Sequence, residues 1–287
     1  MRASAVLGAL AVLPLLAVAG CAPADDASDS AAAPSTPVSC TSGDLPTLTG
    51  GTFTVATDDP AYEPWFVDGD PANGQGYESA VAYAVAEHLG YARDDVAWVT
   101  ATFTNAIAPG AKDFDVDVNQ ISITDERRAT VDFSTGYYDV AQSVVALASS
   151  PIAGATSVAD LRGARLGAQV GSTSLQTITD VVDPTAEPLV FDTNDLAKLA
   201  LENGQVDGLV VDLPTGLYIT AAELDDGKVV GQFPVTGQPE QFGFVLDKGS
   251  PLTACVSEAV DALRADGTLD ALQEQWLTTS AGAPELS

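Results

Sequence analysis

Arg127 stands three residues after Thr124 and five after Ser122, inside the run DFDVDVNQISITDERRATVDFSTGYY from Asp113 to Tyr138. A guanidinium is a planar fork of donors that matches a carboxylate bidentately, and the hydroxyls of Ser122 and Thr124 could assist beside it. The same residues also describe a polar turn between a strand and a helix, so this segment alone leaves a carboxylate site and a structural turn equally open. A second polar cluster, Gly171-Ser172-Thr173, follows a glycine-rich stretch that begins at Gly163. It lacks the lysine and the spacing of a phosphate-binding loop. What remains is a strand end opening a helix, whose free N–H groups could bind an anion or could simply be capped by Ser or Thr.

Enzymatic chemistry finds little support. The one histidine, His88, falls near the exposed end of an amphipathic helix, where a surface role is expected. No nucleophile elbow accompanies it, and one His without a CxxC pair does not make a zinc site. We therefore expect no catalytic residues, no metal and no cofactor. Forty acidic residues against eleven basic ones leave a net charge of −29, which would repel nucleic acid or an anionic membrane surface. The acids are scattered and read as solubility, so the adjacent Arg127-Arg128 invites a specific reason.

These groups need elements to position them. Phe53 to Ala56 reads as a strand, followed by a loop rich in Asp, Pro and Gly from Thr57 to Gly76. Glu78 to Leu89 places Val81, Val85 and Leu89 on one helix face, stopped by Gly90. Val96 to Val99 and Phe114 to Val118 read as strands. The second half repeats the plan, with a short helix from Ser157 to Leu161, a strand from Arg165 to Val170 and a helix from Ser172 to Val181. A strand from Leu189 to Phe191, a helix capped by Asn194 and running to Asn203, and a buried strand from Val206 to Val211 come next. After a strand from Phe242 to Leu246, helices from Pro251 to Ala265 and Thr268 to Trp276 close the chain. Strands separated by helices predict parallel α/β units. Two such modules, with the tail returning to the first, predict two lobes with a cleft between them.

The N-terminus carries Arg2, an apolar run from Ala3 to Ala19 broken by Pro14, and then Val18-Ala19-Gly20-Cys21. That is the layout of a secretory signal peptide rather than a membrane span, and the tetrapeptide resembles a bacterial lipobox with Cys21 as the lipidated residue. Ala22 to Val38 has no aromatic residue and reads as a flexible tether. The two remaining cysteines, Cys40 and Cys255, in an exported protein suggest one disulfide.

Beyond these signals, the chain resembles the family 3 solute-binding proteins of amino-acid ABC importers. The match is to a small polar strand end followed by S-I-T-x-x-R, V-D-F-S and paired aromatics. Here these are Ser122-Ile123-Thr124, Arg127, Val131-Asp132-Phe133-Ser134 and Tyr137-Tyr138. Further landmarks fall in the family's order: Thr54 to Asp58 with Tyr62, Pro64 and Trp65; Asp160-Leu161-Arg162-Gly163 before Gly171-Ser172-Thr173; Gly204 to Asp207 before Asp212; and Leu263 to Trp276. The resemblance implies a two-lobed α/β periplasmic-binding-protein fold of type II with a hinge. Its expected parts are a signal peptide at 1–20, a tether at 21–47, lobe 1 at 48–141 plus 241–280, and lobe 2 at 142–240.

The implied function is capture of a free amino acid for an ABC permease, by a monomer held at the outer face of the cell membrane through Cys21. Arg127 would clamp the ligand carboxylate with Ser122, Thr124 and Thr173. Asp212 would pair with the ammonium, helped by the Gln120 carbonyl, and Tyr62 and Phe103 would sandwich the side chain. Asp58 would face that side chain and favour a polar neutral or cationic ligand. Asn119-Gln120 departs from the family's usual small residue or glycine and leaves pocket size open. The same fold hosts dehydratases and sensing modules. A dehydratase would need a placed acid, for which Asp58 and Glu63 are the candidates.

Overall fold

Why the chain divides into two lobes is visible in where its strands pair. The computed structural model describes residues 40, 45–235, 237–277 and 283–287; the expected signal peptide, Cys21 and most of the tether lie outside them. The strands are β1 (Phe53–Thr57), β2 (Val96–Thr100), β3 (Val116–Asp117), β4 (Asp132–Phe133), β5 (Tyr138–Val140), β6 (Gln142–Leu147), β7 (Leu166–Gln169), β8 (Leu189–Phe191), β9 (Gly208–Asp212), β10 (Gly227–Gln232), β11 (Glu240–Phe242) and β12 (Val245–Leu246). One five-stranded sheet has the order β2-β1-β3-β12-β4 and another the order β10-β6-β9-β7-β8.

β1, with the sequence FTVAT, is buried along its whole length. Parallel neighbours flank both its edges, with Phe53 opposite Val96 and Val55 opposite Val116, the setting in which strands lose polar alternation. The chain leaves this sheet after β4, passes through β5 and enters the second sheet at β6. It returns through β11 and inserts β12 between β3 and β4. The two crossings lie side by side, because β11 pairs antiparallel with β5 from Glu240 opposite Val140 to Phe242 opposite Tyr138. This short ladder is the hinge of a two-lobed α/β periplasmic-binding fold.

Each sheet has its own core. Val81, Val85 and Leu89 are fully buried, and their helix, Tyr77–His88, packs with Thr253–Ala265 and Thr268–Leu277 over the first sheet. Val144, Leu166, Ile178 and Val210 centre the second. The last residues do not follow the closing helices. Glu285 bridges to Gln232, and Leu286 is buried in the second core.

Several elements differ from their sequence reading. The strand expected from Phe114 to Val118 is laddered only at β3, since the chain turns away at Gln120. The expected strand from Phe242 to Leu246 is interrupted at Gly243, where a Cβ would lie 2.8 Å from the Ile123 side chain. The helix from Ser172 is α-helical only over Thr173–Gln176 and widens to a π-type turn over Thr177–Val182. Thr193, not Asn194, caps the helix Asn194–Glu202, its hydroxyl accepting from the Leu196 N–H. β6 runs antiparallel to both β9 and β10, so the second sheet is mixed rather than parallel.

Cys40 and Cys255 form a disulfide with Cα atoms 5.1 Å apart across a sequence separation of 215. It ties the segment before β1 to the helix Thr253–Ala265. A cross-link closing so long a loop restricts the unfolded chain, so the Cys40→Ser/Cys255→Ser double variant should lose about 3 to 5 kcal/mol of stability. Urea denaturation of both proteins checks this, and equal midpoints with equal slopes would refute it.

Candidate functional site

The single helical turn Asp125–Arg128 begins at Thr124, whose hydroxyl accepts the Arg127 backbone N–H at 3.2 Å. That cap fixes the turn and aims the guanidinium inward, where Arg127 is only 7% exposed. Nη1 donates to the Ser122 carbonyl at 2.6 Å, and Nη2 donates to the Gly171 carbonyl at 2.9 Å. Arg127 therefore touches the loop after β3 and the loop after β7, one from each lobe. Its Cζ also lies 5.4 Å from the centre of the Phe103 ring. Burial lowers its pKa, and the carboxylates of Glu240 and then Asp212 oppose that shift. A guanidinium so placed keeps its charge.

Asp212 ends β9, where β6 sets Gln142 opposite it. The Gln142 Nε2 donates to Asp212 Oδ1 at 2.7 Å, and the Gln142 Oε1 accepts from the Ser174 hydroxyl at 2.7 Å. Desolvation, and next the charge of Glu240, holds the Asp212 pKa well above the usual carboxylate range; the Gln142 bond opposes this. Asp212 is thus an acid that an incoming cation would ionise.

Both groups line one cavity, together with Asp58, Tyr62, Phe103, Gln120 and Thr173. Asn119, Gln169, Ser172, Ser174, Asn194 and Val211 complete its wall. Seven of the nine expected ligand residues are thereby brought together. Ser122 and Thr124 are not among the lining residues: the Ser122 hydroxyl is given to the Glu240 carboxylate, and that of Thr124 caps the Arg127 turn. The cap at the next turn falls to Ser172, whose hydroxyl accepts from the Leu175 N–H at 3.1 Å, leaving the Thr173 hydroxyl to donate elsewhere. Asp58 accepts from the Asp59 and Phe103 backbone N–H groups, so it also anchors the start of the helix Phe103–Ile107. Burial and the nearby Asp195 carboxylate push the Tyr62 hydroxyl up to about 12. Glu63 lies outside the wall, its carboxylate accepting from the Asp68 N–H.

Three residues that the sequence reading did not single out organise this wall: Glu78, Gln142 and Glu240. Glu78 explains the departure at Gln120. That residue has φ 48°, a left-handed conformation that costs a non-glycine residue about 1 kcal/mol. The buried Glu78 carboxylate holds it there, accepting from the Gln120 backbone N–H at 2.7 Å, from the Gln120 side-chain amide and from the Tyr137 hydroxyl. A fully buried acid near the start of a helix was the available signal, but periodicity alone cannot distinguish it from a surface residue.

Burial pushes the Glu78 carboxyl up to about 7 from its ordinary 4.5, against the three donors. The folded protein then keeps a proton that the unfolded chain releases, so stability falls as pH rises from about 4.5 to about 7. One such group contributes a slope of about 1.4 kcal/mol per pH unit. Glu78→Gln should flatten the pH dependence of stability by that amount, which denaturation midpoints between pH 5 and 7 would measure. An unchanged slope would contradict the assignment.

Comparison with known proteins places this geometry among relatives. A family model for bacterial extracellular solute-binding proteins, family 3, matches residues 53–279. The L-cystine-binding protein of Escherichia coli strain K12 is 28% identical over 218 residues, covering 75% of this chain and 79% of that protein. The solved structure of an ancestral arginine-binding protein bound to arginine is 31% identical with a TM-score of 0.66, covering 78% of this chain and 97% of that one. An ancestral amino acid-binding protein that is a precursor of cyclohexadienyl dehydratase is 29% identical with a TM-score of 0.64, covering 79% and 95%.

Proposed function

This chain belongs to the bacterial extracellular solute-binding proteins, family 3, and from that premise we propose that it is the substrate-binding component of an ABC importer for an amino acid. The observation that carries the reading is the presence of Arg127 and Asp212 on the wall of one cavity between the lobes. A zwitterion has a charge at each end, and each end is costly to desolvate unless it meets its opposite. Arg127 and Thr173 take the carboxylate. Asp212 takes the ammonium, with the Gln120 carbonyl accepting a hydrogen bond from a second N–H, and Tyr62 and Phe103 cover the side chain with apolar area. A ligand touching both lobes favours the closed arrangement by its differential affinity for it.

Asp58 lines the cavity, and Arg127 is the only cationic residue on the wall among the described residues. A polar neutral or cationic side chain fits these charges, and an acidic one does not. The protein acts without catalysis and hands its ligand to a membrane permease. It is exported, works as a monomer and is anchored at the outer face of the cell membrane through Cys21. Its lobes are 48–141 with 241–280, and 142–240.

Calorimetry against the twenty amino acids tests the reading. Polar neutral or cationic members should bind, with glutamate and aspartate silent, and every ligand should be recovered unchanged. Silence across the whole panel would defeat the amino-acid reading. Conversion of a bound compound would favour the dehydratase-like alternative.

A further inference from the structure

Glu240 opens β11 in the hinge ladder, opposite Val140, yet its side chain reaches Thr173 on the wall of the ligand cavity and two donors just behind that wall. Its Oε1 accepts from the Ser122 hydroxyl and from the Thr173 hydroxyl at 2.5 Å, and its Oε2 accepts from the Gln142 amide at 3.2 Å. Ser122 follows β3 in the first lobe, whereas Thr173 follows β7 in the second. Glu240 is also the strongest opposite charge acting on Arg127. A carboxylate held by the Thr173 hydroxyl within the field of the Arg127 guanidinium is what the reading above assigns to the ligand's own carboxylate. The cavity volume beside it is about 30 Å³, room for about two water molecules and too little for an amino acid.

We propose that Glu240 is an internal occupant of the ligand-carboxylate subsite, a competing side chain that a ligand must displace and that thereby decides which solutes enter. The proposal rests on the amino-acid reading for its ligand. Space for the displaced side chain exists on its other flank. Glu240 lines a separate cavity of about 160 Å³ with Val140, Gln142, Thr177, Phe233 and Gln238. Rotation from one to the other frees the Ser122 and Thr173 hydroxyls.

The exchange selects by chemistry. A solute carrying a carboxylate replaces one anion with another on the same donors, so Arg127 and the hydroxyls stay satisfied. An amine without a carboxylate leaves Glu240 in place and finds the cavity filled. The same contact joins the lobes across the cleft, alongside the Arg127 bond to the Gly171 carbonyl and the Trp65 indole bond to Thr215 at 3.0 Å.

Glu240→Ala and Glu240→Gln, each verified as folded by its thermal transition, test this in two independent ways. Small-angle scattering of the ligand-free proteins should give a larger radius of gyration for Glu240→Ala than for the wild type, because one tie between the lobes is gone. Calorimetry with the amino acid that the wild type binds best should show about tenfold tighter binding to Glu240→Ala, since no competitor remains. Glu240→Gln, which keeps an acceptor for the hydroxyls without the charge, should fall between. Unchanged scattering, or an affinity that is equal or weaker in Glu240→Ala, overturns the proposal. If no amino acid binds the wild type, scattering alone decides: an opened variant then upholds Glu240 as the tie while the amino-acid reading fails.

Discussion

Arg127→Ala is expected to weaken amino-acid binding by roughly 30- to 5,000-fold, the equivalent of about 2 to 5 kcal/mol for truncating one partner of a buried charge pair. The loss has two sources. The ligand carboxylate would enter the cavity without a cation, and the Ser122 and Gly171 carbonyls would lose the donors that Arg127 supplies from its two terminal nitrogens. Arg127→Lys separates them, because an ammonium keeps the charge but cannot span both carbonyls and a carboxylate. We expect the lysine variant to bind nearly as weakly as the alanine one. Calorimetry on variants with near wild-type thermal transitions is the check, and a lysine variant of full affinity would show that charge alone suffices.

Asp212→Asn is expected to separate binding from stability. Its shape and the Gln142 contact can be kept, but the ammonium loses its counter-charge, and affinity should fall by about 30-fold or more. Stability should not fall with it. Burial and Glu240 hold the Asp212 pKa well above the usual carboxylate range, so ionisation is unfavourable in the folded state. The folded protein retains a proton that the unfolded chain releases above its ordinary value of 3.8, so this group's contribution to stability declines as pH rises through that interval. The asparagine variant removes the decline. In the wild type an ammonium favours the ionised acid, so binding releases a proton and affinity rises with pH over the same interval. Equal affinity at all pH values, or an asparagine variant that binds normally, would place the ammonium elsewhere.

What could be read from the sequence depended on how far each signal extends along the chain. The face formed by Val81, Val85 and Leu89 was legible because three residues at helical spacing suffice to show it. Arg127 and Thr173 drew notice because each lies in a polar segment between a strand and a helix, which left a site and a structural turn equally open, and Asp212 entered only through the family resemblance. β6 was not: QSVVAL is buried on both faces and shows no alternation. β4, β5, β11 and β12 have two or three residues each, too few for any period. Thr193 and Asn194 are adjacent residues that can both cap a helix, and only the hydrogen bond to Leu196 decides between them.

The wall of the site was harder for a related reason. Glu240 meets Ser122 across 118 residues and Gln142 across 98. Nothing local to the hinge strand marks its glutamate as reaching the cavity. Gln142 looks like the polar start of an apolar run, yet it bridges Asp212, Glu240 and Ser174 through one amide group. Gln120 looked like a departure in pocket size. Its positive φ and its two hydrogen bonds to Glu78 instead show a backbone conformation that another residue would take more easily, retained through a buried carboxylate.

The claim on which the account turns is that one cavity grips both poles of a zwitterion. Calorimetry of the best-bound amino acid beside its decarboxylated amine and its N-acetyl derivative tests it directly, because each analogue deletes one pole and leaves the side chain intact. We predict strong binding of the amino acid and loss of at least about a hundredfold for either analogue. Binding of the amine or the acetylated compound as tight as that of the parent would contradict it.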